Sequence, residues 1–309
     1  MSDTSPIDAR PETRTEALGL LYAVLAYGWW GAVPIFWKQL THVPADELLA
    51  QRMAWGFVVF AALLIVRGRV RDMGRALRAR RTLAVFAVSS ALLACNWLTF
   101  IYAMATERVL QASLGYFLNP LVSVFLGMLV IGERLRPAQW LAMALSVVGV
   151  LQLATQSSEF PWISLVLACS FGLYGLVRKI APIDALLGST LEAGMAAPPA
   201  LAYIAFLALA GRGHFTTSIG ETELLLAATG IITACPLLWF ANAARRLPLT
   251  TLGFLQYLAP TGHFLLAVFV YGEPFTPLHL RAFACIWIGV AVFSTDLWTR
   301  RATTRPSID

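Results

Sequence analysis

Leu114-Gly-Tyr-Phe-Leu-Asn-Pro-Leu-Val-Ser-Val-Phe-Leu-Gly-Met-Leu-Val-Ile-Gly-Glu133 is answered 140 residues later by Phe254-Leu-Gln-Tyr-Leu-Ala-Pro-Thr-Gly-His-Phe-Leu-Leu-Ala-Val-Phe-Val-Tyr-Gly-Glu273. Each stretch is an apolar run with a proline at the same place, Pro120 or Pro260, and each ends in Gly-Glu. The register continues outward on both sides. Upstream, Ala94, Cys95 and Phe100 meet Ala234, Cys235 and Phe240; downstream, Pro137 meets Pro277 and Gly149-Val150 meets Gly289-Val290. A unit with an odd number of membrane crossings must insert its two copies in opposite senses. Inverted repeats of this kind place a binding site between halves that rock around it, which points to a transporter.

Ten apolar runs carry the repeat, at 17–38, 46–66, 82–104, 109–131, 137–154, 161–177, 184–209, 223–243, 249–271 and 278–297. A hydrocarbon core about 30 Å thick demands such lengths of helices, whereas a barrel would show short alternating segments. The expected fold is therefore an all-α integral membrane protein of ten transmembrane helices in two inverted five-helix repeats. Residues 17–154 and 161–297 form the repeats, and 1–16 and 298–309 are tails. The link Gln156-Ser157-Ser158-Glu159 is short. With 58% hydrophobic and 13% charged residues and a mean hydropathy of +0.70, the chain has too little polar surface for a soluble domain.

The net charge of +6 is a matter of placement, not a nucleic-acid footprint. All Lys and Arg but Lys38, Arg52, Arg108, Arg212 and Arg281 fall on one side of the ten-span arrangement. The positive-inside rule then makes both termini cytoplasmic. Seven arginines between Arg67 and Arg81 read as a topology-fixing loop. The polar first sixteen residues lack the layout of a removable signal peptide. Cys95, Cys169, Cys235 and Cys285 lie inside apolar runs without metal-type spacing and read as small buried hydrophobes.

Several strings resemble a known family. They are Val43-Pro-Ala-Asp-Glu-Leu-Leu-Ala-Gln-Arg52, Asn96-Trp-Leu-Thr-Phe100, Ala112-Ser-Leu-Gly-Tyr-Phe-Leu-Asn-Pro-Leu-Val122, Phe171-Gly-Leu-Tyr-Gly-Leu-Val-Arg-Lys179 and Thr250-Thr-Leu-Gly-Phe-Leu-Gln-Tyr-Leu-Ala-Pro-Thr261. Together they are similar to RarD proteins of the EamA group, in the drug/metabolite transporter superfamily. The resemblance implies a cavity bounded by helices one to four and six to nine, with five and ten peripheral. It also implies movement of small solutes, often export. His263 stands where the family pattern leads one to expect an apolar residue.

Arg52 and Glu192 occupy equivalent positions of the repeat, each roughly 9 Å inside its helix at about 1.5 Å per residue. A charge there costs several kcal/mol unless it is paired or reaches a wet cavity. Glu192 is therefore expected to neutralise Arg52 or to take up a coupling proton, and Arg52 to hold an anionic group of the solute. Pro120 and Pro260 should bend helices four and nine by removing a backbone donor. Tyr116, Asn119, Gln256, Tyr257 and Thr261 cluster beside those bends and are candidates to line the cavity, with interhelical glue as the competing role. Asn96, Trp97 and Asn242 are weaker candidates of the same kind. Tyr174, with Tyr27, Trp29 and Trp30, walls a pocket or packs helices one and six. Glu133 and Glu273, near helix N-termini, read as structural.

No Walker loop, zinc spacing or nucleophile with a base is present, so no cofactor, metal or catalysis is expected, and ATP is not expected to drive the protein. The expected partners are a small solute, membrane lipid and protons; small residues such as Gly127 either support a homodimer or pack within one chain. A lipid- or amphiphile-flipping protein is the alternative that stays open.

Overall fold

The computed structural model describes residues 10–155, 160–215, 220–272 and 277–303. It contains ten helices long and apolar enough to cross a membrane: α1 Thr15–Leu40, α2 Ala45–Val66, α3 Arg80–Ala105, α4 Val109–Ile131, α5 Pro137–Ala154, α6 Trp162–Ile180, α7 Ala185–Leu209, α8 Glu221–Arg246, α9 Leu249–Val270 and α10 Pro277–Thr299. All ten expected spans are present, with ends shifted by three residues at most. No strand occurs among the described residues. The N- and C-terminal ends of the tails, the link 156–159 and Glu273 lie outside the described residues.

The principal packings map onto one another when the two sets of five helices are exchanged. α2 packs on α7, α4 on α9 and α5 on α10; α1–α8 is matched by α3–α6, α1–α9 by α4–α6, and α2–α8 by α3–α7. α6 against α8 is the exception, because α1 and α3 do not pack to a comparable extent. Local structure repeats as well. α4 and α9 both end in a π turn, Gly127–Ile131 and Leu266–Val270, closed by Gly132 and Gly272 at positive φ. Only glycine adopts that left-handed turn without strain.

The starts and ends of the helices fall on two faces. One is tied together by Arg69 to Asp184 at 2.9 Å, Lys179 to the Leu247 carbonyl at 2.6 Å and the ion pair Arg136–Asp296. It carries most of the arginines. On the opposite face Glu47 at the start of α2 meets His214 beyond the end of α7, so α2 and α7 run antiparallel. Between the faces the outward surface is apolar, as lipid requires.

Without a hydrophobic drive between helices in lipid, close contact depends on small residues. Gly149 and Gly289, which are repeat-related, face each other's helices reciprocally. A Cβ on Gly149 would lie 2.7 Å from the Ala282 carbonyl, and one on Gly289 would lie 2.8 Å from the Ala142 carbonyl. Gly149→Val is expected to force α5 from α10 and lower stability by about 1–3 kcal/mol. Gly28→Ala, with open space around it, should leave thermal unfolding in detergent unchanged.

Several expectations need correction. α-Helix runs through Pro120 without interruption, whereas α9 is broken at Tyr257, three residues before Pro260. Cys95 and Cys169 are exposed on the outward surface, not buried. Of the two roles open to Gly127, the structure shows packing within the chain, against Glu133 and Leu249. Part of the arginine-rich loop is a helix, Val70–Arg78, whose Met73 and Ala76 pack with Phe86, Ala181 and Leu191. Glu133 does sit at a helix N-terminus, but that of α9. It accepts from Leu249 N at 2.7 Å, Thr250 N at 2.8 Å and Thr250 Oγ1 at 2.7 Å.

Candidate functional site

Arg52 and Glu192 are each the eighth residue of their helix, and they line one cavity with α3 and α8. The space is about 30 Å³, enough for roughly one or two waters. The antiparallel packing of α2 on α7 brings the two residues to the same space from opposite faces.

The two charges are handled differently. Arg52 Nε donates to Thr233 Oγ1 of α8 at 3.3 Å, and the guanidinium lies over Trp37 of α1 at 4.8 Å and Trp97 of α3 at 5.2 Å. Its place between these indoles accompanies the looser α1–α3 approach, the one departure from the paired packing. Of the five N–H donors an arginine carries, the described residues take one, and no carboxylate forms an ion pair with it. A guanidinium beside two indole rings with four of its donors unused among the described residues keeps hydrogen-bonding capacity of the kind a carboxylate or phosphate takes up.

Glu192 does not neutralise Arg52. Its Oε1 accepts from Arg178 Nη1 at 3.2 Å and from Ser89 Oγ at 2.5 Å, and its Oε2 accepts from the Tyr174 hydroxyl at 3.4 Å. Arg178 is 1% exposed and donates through Nη2 to the Ala185 carbonyl at 3.0 Å and to Ser189 Oγ at 3.3 Å. Gly188 leaves the room that this guanidinium and the Phe86 ring fill, since any side chain there would collide with both. The cluster joins α3, α6 and α7 between the cavity and the arginine-rich face.

Arg178 is the residue that reading the sequence missed, having been counted only among the cations of the arginine-rich side. It sits two residues inside the end of α6, while Glu192 is seven residues beyond the start of α7, a depth difference of about 7 Å. The length of an arginine side chain closes that gap. Trp37, Thr233 and Ser89 were also missed, and their residue types gave no signal.

The remaining candidates divide. Trp97 flanks Arg52, and Tyr174 joins the Glu192 cluster while stacking on Phe240 at 5.6 Å. Tyr27 and Trp30 pack into the same aromatic group, so packing accounts for them. Asn96 donates to the Leu167 carbonyl at 2.9 Å and Ser170 Oγ at 3.0 Å. Asn119, with its amide nitrogen toward the same segment, reaches the Leu167 and Ala168 carbonyls. Both tie their helices to α6. Gln256 accepts from Ser123 at 3.3 Å, Thr261 accepts from Trp287 at 3.1 Å, and Tyr257 is buried. Asn242 is engaged locally, with the Leu238 carbonyl and Arg246. Tyr116 lies within electrostatic reach of Arg52.

Comparison with known proteins bears on this arrangement. The profile of the EamA-like transporter family matches residues 17–155. The protein named RarD in Streptomyces exfoliatus is 44% identical over 93% of this chain and 90% of its own length. RarD of Escherichia coli is 41% identical over 93% and 97%. An uncharacterised transporter of Pseudomonas aeruginosa is 43% identical over 91% and 94%. A crystal structure that is 22% identical superposes with a TM-score of 0.70 over 94% of this chain and 99% of the other, which shows a shared fold. At such identities over nine-tenths of its length, the chain belongs to the EamA-like transporter family, in its RarD branch, and is a multi-pass membrane transporter.

Proposed function

We propose that the protein is a secondary transporter that exports a small solute bearing an anionic group. It alternates between inward and outward openings around the Arg52 cavity, in the bacterial inner membrane, with the arginine-rich face and both termini in the cytoplasm. The observation that carries this reading is Arg52 itself, a cavity-lining cation with one of its donors used and no carboxylate paired with it, since Glu192 across the cavity is held by Arg178. The exchange of helix pairings between residues 17–154 and 161–297 supports two inverted repeats moving against each other. The Glu192 cluster supports a latch on the cytoplasmic side, since α6 and α7 cannot part there without breaking the Arg178 pair. Proton uptake by Glu192 would weaken that pair and open the latch, coupling transport to a proton.

Export is tested by comparing metabolites in the medium of cells lacking the protein, overproducing it, or overproducing Glu192→Gln. An acidic compound that rises outside only with the wild type is the expected result, and no difference in any compound would overturn export. Coupling is tested by flux of that compound against pH in proteoliposomes. Glu192→Gln should flatten the profile, and an unchanged profile removes the proton from the mechanism.

A further inference from the structure

A second and larger cavity, about 210 Å³, lies between α4, α5, α9 and α10 toward the face opposite the arginines. Its walls are mostly apolar, with Phe117, Phe264 and Phe283 among them, and Ser113, Tyr116, His263 and His279 bring polar atoms to it. His263 Nε2 lies 2.9 Å from the Trp30 backbone carbonyl. A carbonyl only accepts, so Nε2 carries the proton, and the neutral ring keeps Nδ1 as an acceptor. No hydrogen bond reaches that Nδ1 among the described residues, nor does the Tyr116 hydroxyl make one. The two rings meet edge-on, 6.2 Å apart at 84°.

His263 Nδ1 and the Tyr116 hydroxyl are open to this space with no protein partner among the described residues, so a ligand of matching chemistry gains a hydrogen bond there while its apolar part packs on the walls. Size narrows that chemistry further. An apolar cavity of roughly 150 Å³ accepts benzene, so this one has room for a six-membered ring and a small substituent. We propose that the cavity is a second ligand site, taking a small uncharged ring compound whose hydrogen-bond donor goes to His263 Nδ1 while the ring packs against the phenylalanines. Tyr116 lines this site and lies within electrostatic reach of Arg52. A role as an outer station on the export route rests on the function proposed above, whereas binding does not.

Purified full-length protein in detergent, titrated calorimetrically with phenol and with toluene, separates the possibilities without any transport measurement. Phenol is expected to bind at one site and at least tenfold more tightly than toluene. His263→Leu should bring phenol to the level of toluene, and His263→Gln, which keeps an acceptor, should retain the preference. Ala267→Phe, from the cavity wall, should abolish binding of both and leave only micelle partitioning as background. Thermal unfolding of each variant identifies any that fails to fold, and the remaining variants then carry the comparison. Equal binding of phenol and toluene to the wild type, or phenol binding that survives Ala267→Phe, would overturn the site.

Discussion

Arg178→Leu is expected to destabilise the protein by about 3–5 kcal/mol, the largest stability loss of any single substitution proposed for it. The cost does not come from the lost attraction alone. Glu192 is 5% exposed, and without Arg178 it would keep only the hydroxyls of Ser89 and Tyr174 as partners for a buried charge. Replacing both members of a buried pair by apolar residues is often neutral or stabilising. The double variant Arg178→Leu/Glu192→Leu should therefore regain most of the lost stability. It should not regain transport if the pair is the latch. Denaturant unfolding of the wild type, both single variants and the double variant in detergent closes the cycle. A single variant within about 1 kcal/mol of the wild type would show that the pair is not an ionised one, because breaking an ionised buried pair costs several times more.

The ten helices were legible because the bilayer leaves so little choice. Each crossing must satisfy its own backbone, so apolar runs of about twenty residues report helices directly. The 140-residue register was legible for a related reason: Gly149 and Gly289 are fixed by close backbone approach, and Gly132 and Gly272 by left-handed turns. Side-chain reach was not legible. Arg178 looked superficial because hydropathy assigns a residue to the depth of its Cα, and its guanidinium works a full turn deeper. Glu133 has the right chemistry for a helix N-terminus, but sequence spacing pointed to the next helix, whereas the fold brings it to α9. Asn96 and Asn119 illustrate a third limit. An amide in a membrane helix suits a solute and a neighbouring carbonyl equally well, and only packing shows that α6 takes both.

Arg52→Gln is expected to cut transport of the anionic solute about 100-fold, since hydrogen bonds to a charged group contribute roughly 1.5–3 kcal/mol each and more than one is lost. Arg52→Lys keeps the charge but loses the planar fork and much of its stacking on Trp37 and Trp97, so a fall of about tenfold is expected. Thr233→Val removes the one hydrogen bond that orients the guanidinium and should cost only a few-fold, by the roughly 1 kcal/mol of an ordinary hydrogen bond. Stability separates this residue from Arg178. No carboxylate is orphaned when Arg52 is removed, so Arg52→Gln should unfold within about 1 kcal/mol of the wild type. Flux in proteoliposomes and unfolding in detergent, measured on the same preparations, read the two effects independently. Loss of flux with stability kept assigns Arg52 to the solute. Loss of both together would make it a structural cation, and normal flux in Arg52→Gln would remove the anionic group from the proposed solute.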